Sequence, residues 1–193
     1  MESLCVFCGS APGRRSVYTE AAARLGHEMA RRKIRLVYGG GKVGMMGAVA
    51  DAVLQAGGEV IGVIPGALVE RELAHHGVTE LIVVESMHQR KATMADLSDG
   101  FLALPGGYGT LEELFEVITW VQLGFHTKPC GLLNVDGFFN PLRQMLDRAV
   151  GEEFLSDMNR QQLLTSEDER EILDRLAAAH PVQNRQWIDR SET

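Results

Sequence analysis

Short apolar segments alternate with helix-forming segments along this chain, and this alternation limits the possible folds more than any other feature. The apolar segments are rich in Val, Ile and Leu without strict polar alternation, which is typical of strands covered on both faces. The pattern therefore predicts an α/β fold, a single-domain Rossmann-like parallel sheet with helices on both faces. We expect strands at 4–8, 34–38, 60–64, 81–84, 101–104 and 131–135, and helices at 17–32, 45–55, 87–97, 111–123, 141–150 and 168–179.

The composition suits one globular domain with a substantial core. The chain has 193 residues, of which 45% are hydrophobic and 23% charged. We expect residues 1–180 to form the domain and the polar residues 181–193 to form a poorly ordered tail. The net charge of -7 argues against a nucleic-acid partner, although local fields still allow a small phosphorylated ligand. We expect no signal peptide and no membrane span, because no basic leader and no long apolar run is present.

The three cysteines allow two interpretations. Cys5 and Cys8 form a C-x-x-C pair, which is compatible with redox chemistry or a zinc site. No second pair completes a zinc site, and the adjacent His75 and His76 lack a further ligand set. Buried thiols in a reducing cytoplasm are favoured, Cys130 included, so we expect a cytoplasmic protein without a metal.

Glycine-rich turns follow three of the predicted strands. In open parallel sheets, ligands bind beyond the carboxyl ends of the strands. The turns at 8–10 (CGS), 39–41 (GGG) and 105–109 (PGGYG) all lie at that edge. The sequence therefore predicts a ligand site there.

The most informative of these turns is the segment 105–113, PGGYGTLEE. Its glycines allow backbone N–H groups to approach a ligand, and the helix that follows presents unpaired N–H groups and a partial positive charge. This predicts a phosphate site. We place Glu112 and Glu113 in the first turn of that helix, where a second carboxylate exceeds what helix stability requires.

The turn at 39–44 matches the dinucleotide fingerprint G-x-G-x-x-G. The fingerprint also needs an acidic residue at the end of the next strand, and that strand ends in Val63, Ile64 and Pro65. NAD binding is therefore not favoured. Phosphate contact by this loop and a simple tight turn both remain open, and the Walker pattern is absent.

The helix at 111–123 has two chemically different faces. A helical wheel directs one set toward the sheet: Leu111, Leu114, Ile118 and Val121. The wheel directs a second set away from it: Glu113, Glu116, Val117 and Trp120. A mixed acidic and aromatic face suggests a site covered by a second subunit, and an ordinary surface is the alternative.

The segment 87–91 (MHQRK) opens another helix, and Arg90 and Lys91 are two adjacent cations within it. Two cations at a helix start oppose the macrodipole, and such exceptions concentrate at functional sites. The guanidinium of Arg90 suits a phosphate or a carboxylate, while surface positions for one or both residues are the alternative.

These segments together resemble the LOG (lonely guy) family of cytokinin riboside 5'-monophosphate phosphoribohydrolases. The matching segments are 8–10, 39–47, 87–91 (MHQRK) and 105–113, and the match extends over roughly residues 4–178. The resemblance implies cleavage of the N-glycosidic bond of N6-substituted adenosine 5'-monophosphates, giving free base and ribose 5-phosphate. Residues 1–180 would then be a nucleotide-binding catalytic domain. Related proteins have been labelled lysine decarboxylases, an activity that the resemblance does not support.

The resemblance also implies roles for individual residues. Arg90 and Glu113 would be the catalytic pair, without cofactor or metal, in a homodimer with its active site near the interface. The residues expected to bind the nucleotide are Ser10, Gly41, Glu72, Lys91, Gly106, Gly107, Tyr108, Gly109, Thr110, Leu111, Glu112 and Thr119.

Three other functions remain open at this stage. A nucleosidase for AMP or another purine monophosphate would use the same residues. A non-catalytic nucleotide or cofactor carrier could keep the glycines but would not need both Arg90 and Glu113. A redox protein would depend on Cys5 and Cys8 instead.

Overall fold

A seven-stranded sheet forms the centre of the protein. The computed structural model describes residues 1–69 and 74–179. The strands are β1 (Ser3–Phe7), β2 (Arg35–Tyr38), β3 (Val60–Pro65), β4 (Glu80–Val84), β5 (Phe101–Ala103), β6 (Cys130–Leu133) and β7 (Leu163–Ser166). Every neighbouring pair is parallel, in the order β4-β3-β2-β1-β5-β6-β7. The predicted parallel sheet is therefore confirmed.

Helices cover both faces of this sheet. They are α1 (Ser16–Arg31), α2 (Gly44–Gln55), α3 (Met87–Asp96), α4 (Tyr108–Leu123), α5 (Asn140–Gly151), α6 (Asp157–Gln161) and α7 (Glu169–Ala178). Apolar side chains of α1, α2 and α7 pack on one face, and those of α3, α4 and α5 pack on the other. None of the helices in the described part of the chain is long and apolar enough to cross a membrane.

The central strand β1 explains why its sequence lacks polar alternation. Leu4 and Val6 belong to the core on one face, while Cys5 and Phe7 belong to the core on the other. All four side chains are buried, so these four positions favour apolar residues.

Three elements differ from the sequence prediction. Strand β7 and the short helix α6 were not predicted. Strand β7 lacks the signal of a buried strand, because it is an edge strand with only two apolar residues, Leu163 and Leu164. Helix α4 begins at Tyr108 rather than Leu111, so the prediction that Glu112 and Glu113 lie in its first turn is wrong. The two carboxylates lie in the second turn, and stabilisation of the helix start does not explain them. The expected tail at 181–193 lies outside the described residues.

The strand order reverses direction beside β1. From β1 the chain proceeds through β2 and β3 to β4 at one edge, and then returns to β5 on the other side of β1. The crevice at such a reversal, beyond the carboxyl ends of the strands, is where open α/β sheets bind ligands. The turns after β1, β2 and β5 meet there.

A buried carboxylate joins α1 to α7 on the opposite side of the fold. Glu28 accepts hydrogen bonds from Arg31 at 2.6 Å and from Arg32 at 2.7 Å, and Arg32 also contacts Asp174 of α7 at 2.6 Å. The hydrogen bond from Arg31 lowers the pKa of Glu28 to about 2, with burial opposing and Arg32 adding to the shift. Ionised Glu28 therefore stabilises the contact between the two helices.

Replacing Glu28 with glutamine is expected to lower the free energy of unfolding at pH 7. We expect about 1 kcal/mol, because Arg31 is largely exposed and solvent screens its charge. The folded-state pKa is depressed, so the contribution is present above the ordinary pKa of 4.5 and is lost as pH falls toward 2. Urea unfolding across this range should show the gap between wild type and variant narrowing. Glu20→Gln, an exposed change on the same helix, is the control; an equal gap at every pH contradicts the assignment.

Candidate active site

Backbone hydrogen bonds hold the three glycine-rich turns together. Gly9 donates its N–H to the carbonyl of Pro105 at 3.1 Å. Its own carbonyl accepts the N–H groups of Met45 and Met46, at 3.1 and 3.3 Å. Gly44 has a φ of +65°, and a side chain there would meet the carbonyl oxygen of Ser10 at 2.2 Å. The turn after β1 is thus fixed between the starts of α2 and α4.

These contacts decide between the two interpretations of the fingerprint at 39–44. Two of the N–H groups at the start of α2 are occupied by the carbonyl of Gly9. They are therefore not available to a phosphate, and the tight-turn interpretation is favoured for this loop.

The start of α4 is different, because its N–H groups remain available. Gly107 precedes the helix without a side-chain cap, and the first bonded donor is Leu111, which donates to the Gly107 carbonyl at 3.1 Å. Within residues 1–69 and 74–179, no group accepts a hydrogen bond from the N–H groups of Tyr108, Gly109 or Thr110. A helix start with three available donors is suited to an anion.

Gly106 allows the turn to fold tightly against this helix start. A Cβ atom on Gly106 would lie 2.1 Å from the hydroxyl of Thr110 and 2.9 Å from the amide nitrogen of Gly9. Any larger residue would therefore displace Thr110 or separate the two turns. The close approach explains the glycine at this position.

Arg90 is buried beneath the turns rather than exposed on the surface. Its side chain is 7% exposed. Nε donates to the carbonyl of Val63 at 3.1 Å, and Nη2 donates to the carbonyl of Gly39 at 3.0 Å. The ends of β2 and β3 thus fix the orientation of the guanidinium, and the surface alternative for Arg90 is wrong.

Glu113 faces Arg90 from the neighbouring helix. Its side chain is 13% exposed, and Oε1 lies 4.0 Å from Nη1 of Arg90. Burial raises the pKa of the Cys8 thiol well above its ordinary value, and the negative charge of Glu113 adds to this rise. A carboxylate and a guanidinium from two different helices are therefore brought together in a largely desolvated position.

One cavity of about 230 Å³ joins the available helix start to this pair. Its walls include Arg90, Glu113, Ser10, Gly107, Tyr108, Gly109 and Thr110, all of which the sequence predicted as site residues. The remaining lining residues were not predicted individually, although the turns at 8–10 and 39–41 were predicted to lie at this edge: Val6, Cys8, Gly9, Gly39 and Met46. The fingerprint glycines had pointed to Gly39, but for a different reason.

Comparison with known proteins identifies the family. A family model described as "Possible lysine decarboxylase" matches residues 46–176. An Arabidopsis thaliana protein named as a cytokinin riboside 5'-monophosphate phosphoribohydrolase is 54% identical over 178 residues, covering 92% of this chain and 83% of that protein. The rice (Oryza sativa subsp. japonica) protein named LOG, with the same described activity, is 53% identical, covering 90% and 72%. The chain belongs to the LOG family.

Solved structures with the same architecture include proteins of another description. A molybdenum cofactor binding protein from Rippkaea orientalis superimposes with a TM-score of 0.68 at 22% identity, covering 91% of this chain and 94% of that one. The Moco carrier protein from Chlamydomonas reinhardtii gives 0.67 at 21% identity, covering 91% and 97%. At these identities the likeness concerns the fold alone.

Several residues expected to bind the nucleotide lie outside this cavity of the LOG-family chain. Lys91 donates to Glu112 at 2.7 Å and to Glu116 at 2.9 Å, which links α3 to α4. Thr119 is exposed, and its hydroxyl donates to the carbonyl of Phe115 in its own helix. Gly41, Gly106 and Leu111 do not line this cavity, although Gly106 lines a neighbouring one, and Glu72 lies outside the described residues.

The outer face of α4 is narrower than the helical wheel predicted. Val117 is 3% exposed and belongs to the core, so its predicted outward position is wrong. Leu114, Val117 and Val121 form the buried stripe at spacings of three and four residues. Glu113 lies at the edge of that stripe, which is why it reaches the cavity instead of solvent.

The cysteines are placed for packing rather than for redox chemistry. All three are free and buried, and Cys5 and Cys8 face opposite sides of the sheet. Burial raises the pKa of the Cys130 thiol to about 12. Among the described residues, no group of three or more His, Cys, Asp or Glu is arranged to hold a metal ion. The redox interpretation is therefore not favoured.

Proposed function

We propose that this protein hydrolyses the N-glycosidic bond of N6-substituted adenosine 5'-monophosphates to free base and ribose 5-phosphate. One observation carries the proposal. Arg90 and Glu113, whose Nη1 and Oε1 atoms lie 4.0 Å apart, line the same cavity as the start of α4 with its available N–H groups. The curated relatives, at 50–54% identity, are named for this activity. The available N–H groups would hold the phosphate, and the charged pair would act on the sugar.

The reaction explains why a buried carboxylate is needed. Breaking the bond between C1′ of the ribose and the base develops positive charge on the sugar, as in other glycoside hydrolyses. Glu113 would stabilise that charge and orient the water whose oxygen bonds to C1′. The bonding electrons leave with the base, which gains a proton, and the water loses one.

Arg90 would act on the same step from the other side. Val63 and Gly39 hold two of its nitrogens, while Nη1 faces Glu113. A fixed cation there would orient the carboxylate and offset negative charge developing on the departing base. Fixing the guanidinium in advance avoids reorganisation during the reaction.

The phosphate site would supply binding energy away from the reacting bond. Interactions with a non-reacting part of a substrate can position the reacting part. A hydroxyl in place of the phosphate would lose the contacts with the N–H groups of Tyr108, Gly109 and Thr110. This predicts that the nucleoside is a much poorer substrate than its 5'-monophosphate.

A second cavity gives a nucleotide additional room. The first cavity, at about 230 Å³, is smaller than the roughly 300–1,000 Å³ typical of small-molecule sites. A neighbouring cavity of about 280 Å³ shares Gly9, Ser10 and Gly107 with it. Met45, Tyr18, Phe138 and two prolines give the second cavity mainly apolar walls. Together the two spaces fit a ligand with one anionic and one apolar end.

Lysine decarboxylation, which the family description names, is less well supported by the chemistry of the site. A lysine that forms a Schiff base works best with a lowered pKa. Burial alone would lower the pKa of Lys91, but its hydrogen bonds to Glu112 and Glu116 outweigh burial and raise it. The geometry instead supports hydrolysis by Arg90 and Glu113.

Incubation with three compounds tests the proposal directly. N6-isopentenyl-AMP, AMP and N6-isopentenyladenosine would be compared, with free base measured by chromatography. We expect fast release of base from N6-isopentenyl-AMP and slow release from the nucleoside. The ratio of the rates for N6-isopentenyl-AMP and AMP measures base specificity. Faster release from AMP would support the purine-monophosphate nucleosidase alternative. Binding of both nucleotides without any release would overturn the proposal and favour a carrier.

The proposed homodimer is supported by exposed apolar side chains. Tyr108, a cavity residue, is 95% exposed. Met87 of α3 is exposed and its sulfur lies 3.9 Å from Nη1 of Arg90, and Val83 of β4 is also exposed. Such exposure is typical of interaction surfaces. Light scattering after size exclusion tests the dimer.

The buried free thiols accord with a cytoplasmic location, where disulfides are rare.

A further inference from the structure

A histidine outside the cavity is fastened to the turn that holds Arg90. His75 is 5% exposed and lies in the segment between β3 and β4. Its backbone N–H donates to the carbonyl of Gly40 at 2.9 Å, and its neighbour Ala74 forms an antiparallel bridge with Gly41. The backbone of Ala74 and His75 thus lies directly against the turn at 39–41.

The imidazole of His75 is itself fixed at both nitrogens. The N–H of Gly77 donates to Nδ1 at 3.2 Å, so Nδ1 is an acceptor and Nε2 carries the proton. Nε2 lies 2.9 Å from Oδ1 of Asp51 on α2 and donates to it. Because both ring nitrogens are used, the side chain has one orientation.

These contacts form a continuous series that ends at the candidate catalytic arginine. Asp51 fixes the imidazole of His75, and the backbone N–H of His75 holds the carbonyl of Gly40. The preceding carbonyl, that of Gly39, accepts the Nη2 hydrogen bond of Arg90. Any shift of the turn would therefore move the guanidinium relative to Glu113.

We infer that His75, held by Asp51, is a positioning residue that sets the orientation of Arg90 through the turn at 39–41. Its kinetic consequences rest on the proposed function, because they require Arg90 to act in the reaction. Its structural consequence, the immobilisation of Arg90, does not depend on the proposed function.

Steady-state kinetics with His75→Ala and His76→Ala tests the kinetic part. His76 is adjacent, exposed and outside the cavity, so its replacement is the matched control. With N6-isopentenyl-AMP at 25 °C, we expect His75→Ala to lower kcat by at least about 10-fold, with little change in KM. His75→Gln, whose amide can still donate to Asp51, should recover part of the loss. A kcat equal to that of His76→Ala, in a variant that melts well above 25 °C, overturns the inference.

A double-mutant cycle separates positioning from a general structural role. In an Arg90→Lys background the orientation of the guanidinium is no longer at issue, so adding His75→Ala should cost less than about 2-fold. An equal fold-loss in both backgrounds would show that His75 does not act through Arg90.

NMR of the Arg90 side chain gives a readout independent of activity. The Nε–H group bonded to the Val63 carbonyl should exchange slowly with water, and its signal is assigned by its loss in Arg90→Lys. Exchange should accelerate in His75→Ala and not in His76→Ala; unchanged exchange counts against the inference. If the wild type releases no base, the proposed function fails while this measurement still decides the role of His75.

Discussion

Replacing Glu113 with glutamine is expected to lower kcat for N6-isopentenyl-AMP by at least about 10³-fold while the protein stays folded. The amide keeps the size and hydrogen-bonding capacity of the side chain but has no negative charge. Stabilisation of positive charge on the ribose would be lost at the step that breaks the bond. Substrate affinity should change little, because the proposed phosphate contacts at the start of α4 do not involve this carboxylate.

The measurement combines turnover, binding and melting. Chromatography gives kcat, calorimetry with AMP gives the dissociation constant, and circular dichroism gives Tm. Glu116→Gln is the matched control, since Glu116 lies on the same helix and outside the cavity. A Glu113→Gln variant with kcat within about 10-fold of wild type would show that the charge is not essential. Equal losses in both variants would indicate damage to α4 rather than lost chemistry.

The sheet could be predicted from sequence because its strands are buried on both faces. Segments such as Val60–Pro65 and Phe101–Ala103 are apolar throughout, and turns bound them clearly. Strand β7 lacks this signal, because an edge strand has fewer buried positions and its last two residues are Thr165 and Ser166. Its pairing with β6 depends on long-range contacts that local composition does not encode.

The candidate anion site was also predictable, because one segment carries all of it. Gly106, Gly107 and the start of α4 are adjacent in sequence, and their geometry follows from local backbone rules. The family resemblance supplied the pairing of Arg90 with Glu113. Local sequence could not supply this pairing, since the two residues lie on different helices and come together only in the folded protein.

The position of Glu113 shows where a helical wheel is insufficient. The wheel placed Glu113 and Val117 on one outward face, and they do share a side of α4. The helix is rotated so that Val117 packs on the sheet and Glu113 lies at the edge of the cavity. The rotation is set by packing against β1 and β5, which a single helix does not specify.

The role of Gly39 depends even more on distant residues. Its match to the dinucleotide fingerprint suggested phosphate contact, but its carbonyl instead accepts a hydrogen bond from Arg90, 51 positions away. A Cβ atom on Gly39 would lie 2.0 Å from Nη2 of Arg90. Because Gly39 has no side chain, the guanidinium of Arg90 can lie against its backbone.

Gly39→Ala is accordingly expected to lower kcat/KM by about 10²-fold with a modest loss of stability. The atom it would strike is the end of a long side chain, so the guanidinium can move away without unfolding the sheet. That movement breaks the hydrogen bond to the Gly39 carbonyl and displaces Nη1 from Glu113. Overpacking of this kind costs about 1–3 kcal/mol. Kinetics with N6-isopentenyl-AMP, together with urea unfolding, measures both effects.

Gly66→Ala provides the matched control for this prediction. Gly66 follows β3 at the same edge of the sheet, and a Cβ atom there would meet Val83 at an ordinary 3.7 Å. Its variant should keep wild-type kinetics. If Gly39→Ala also keeps kcat/KM within a few-fold of wild type, Arg90 tolerates displacement, and its orientation cannot be what the ends of β2 and β3 contribute to catalysis. A loss in Gly39→Ala that disappears in an Arg90→Lys background would instead assign the effect of the added methyl group to the guanidinium.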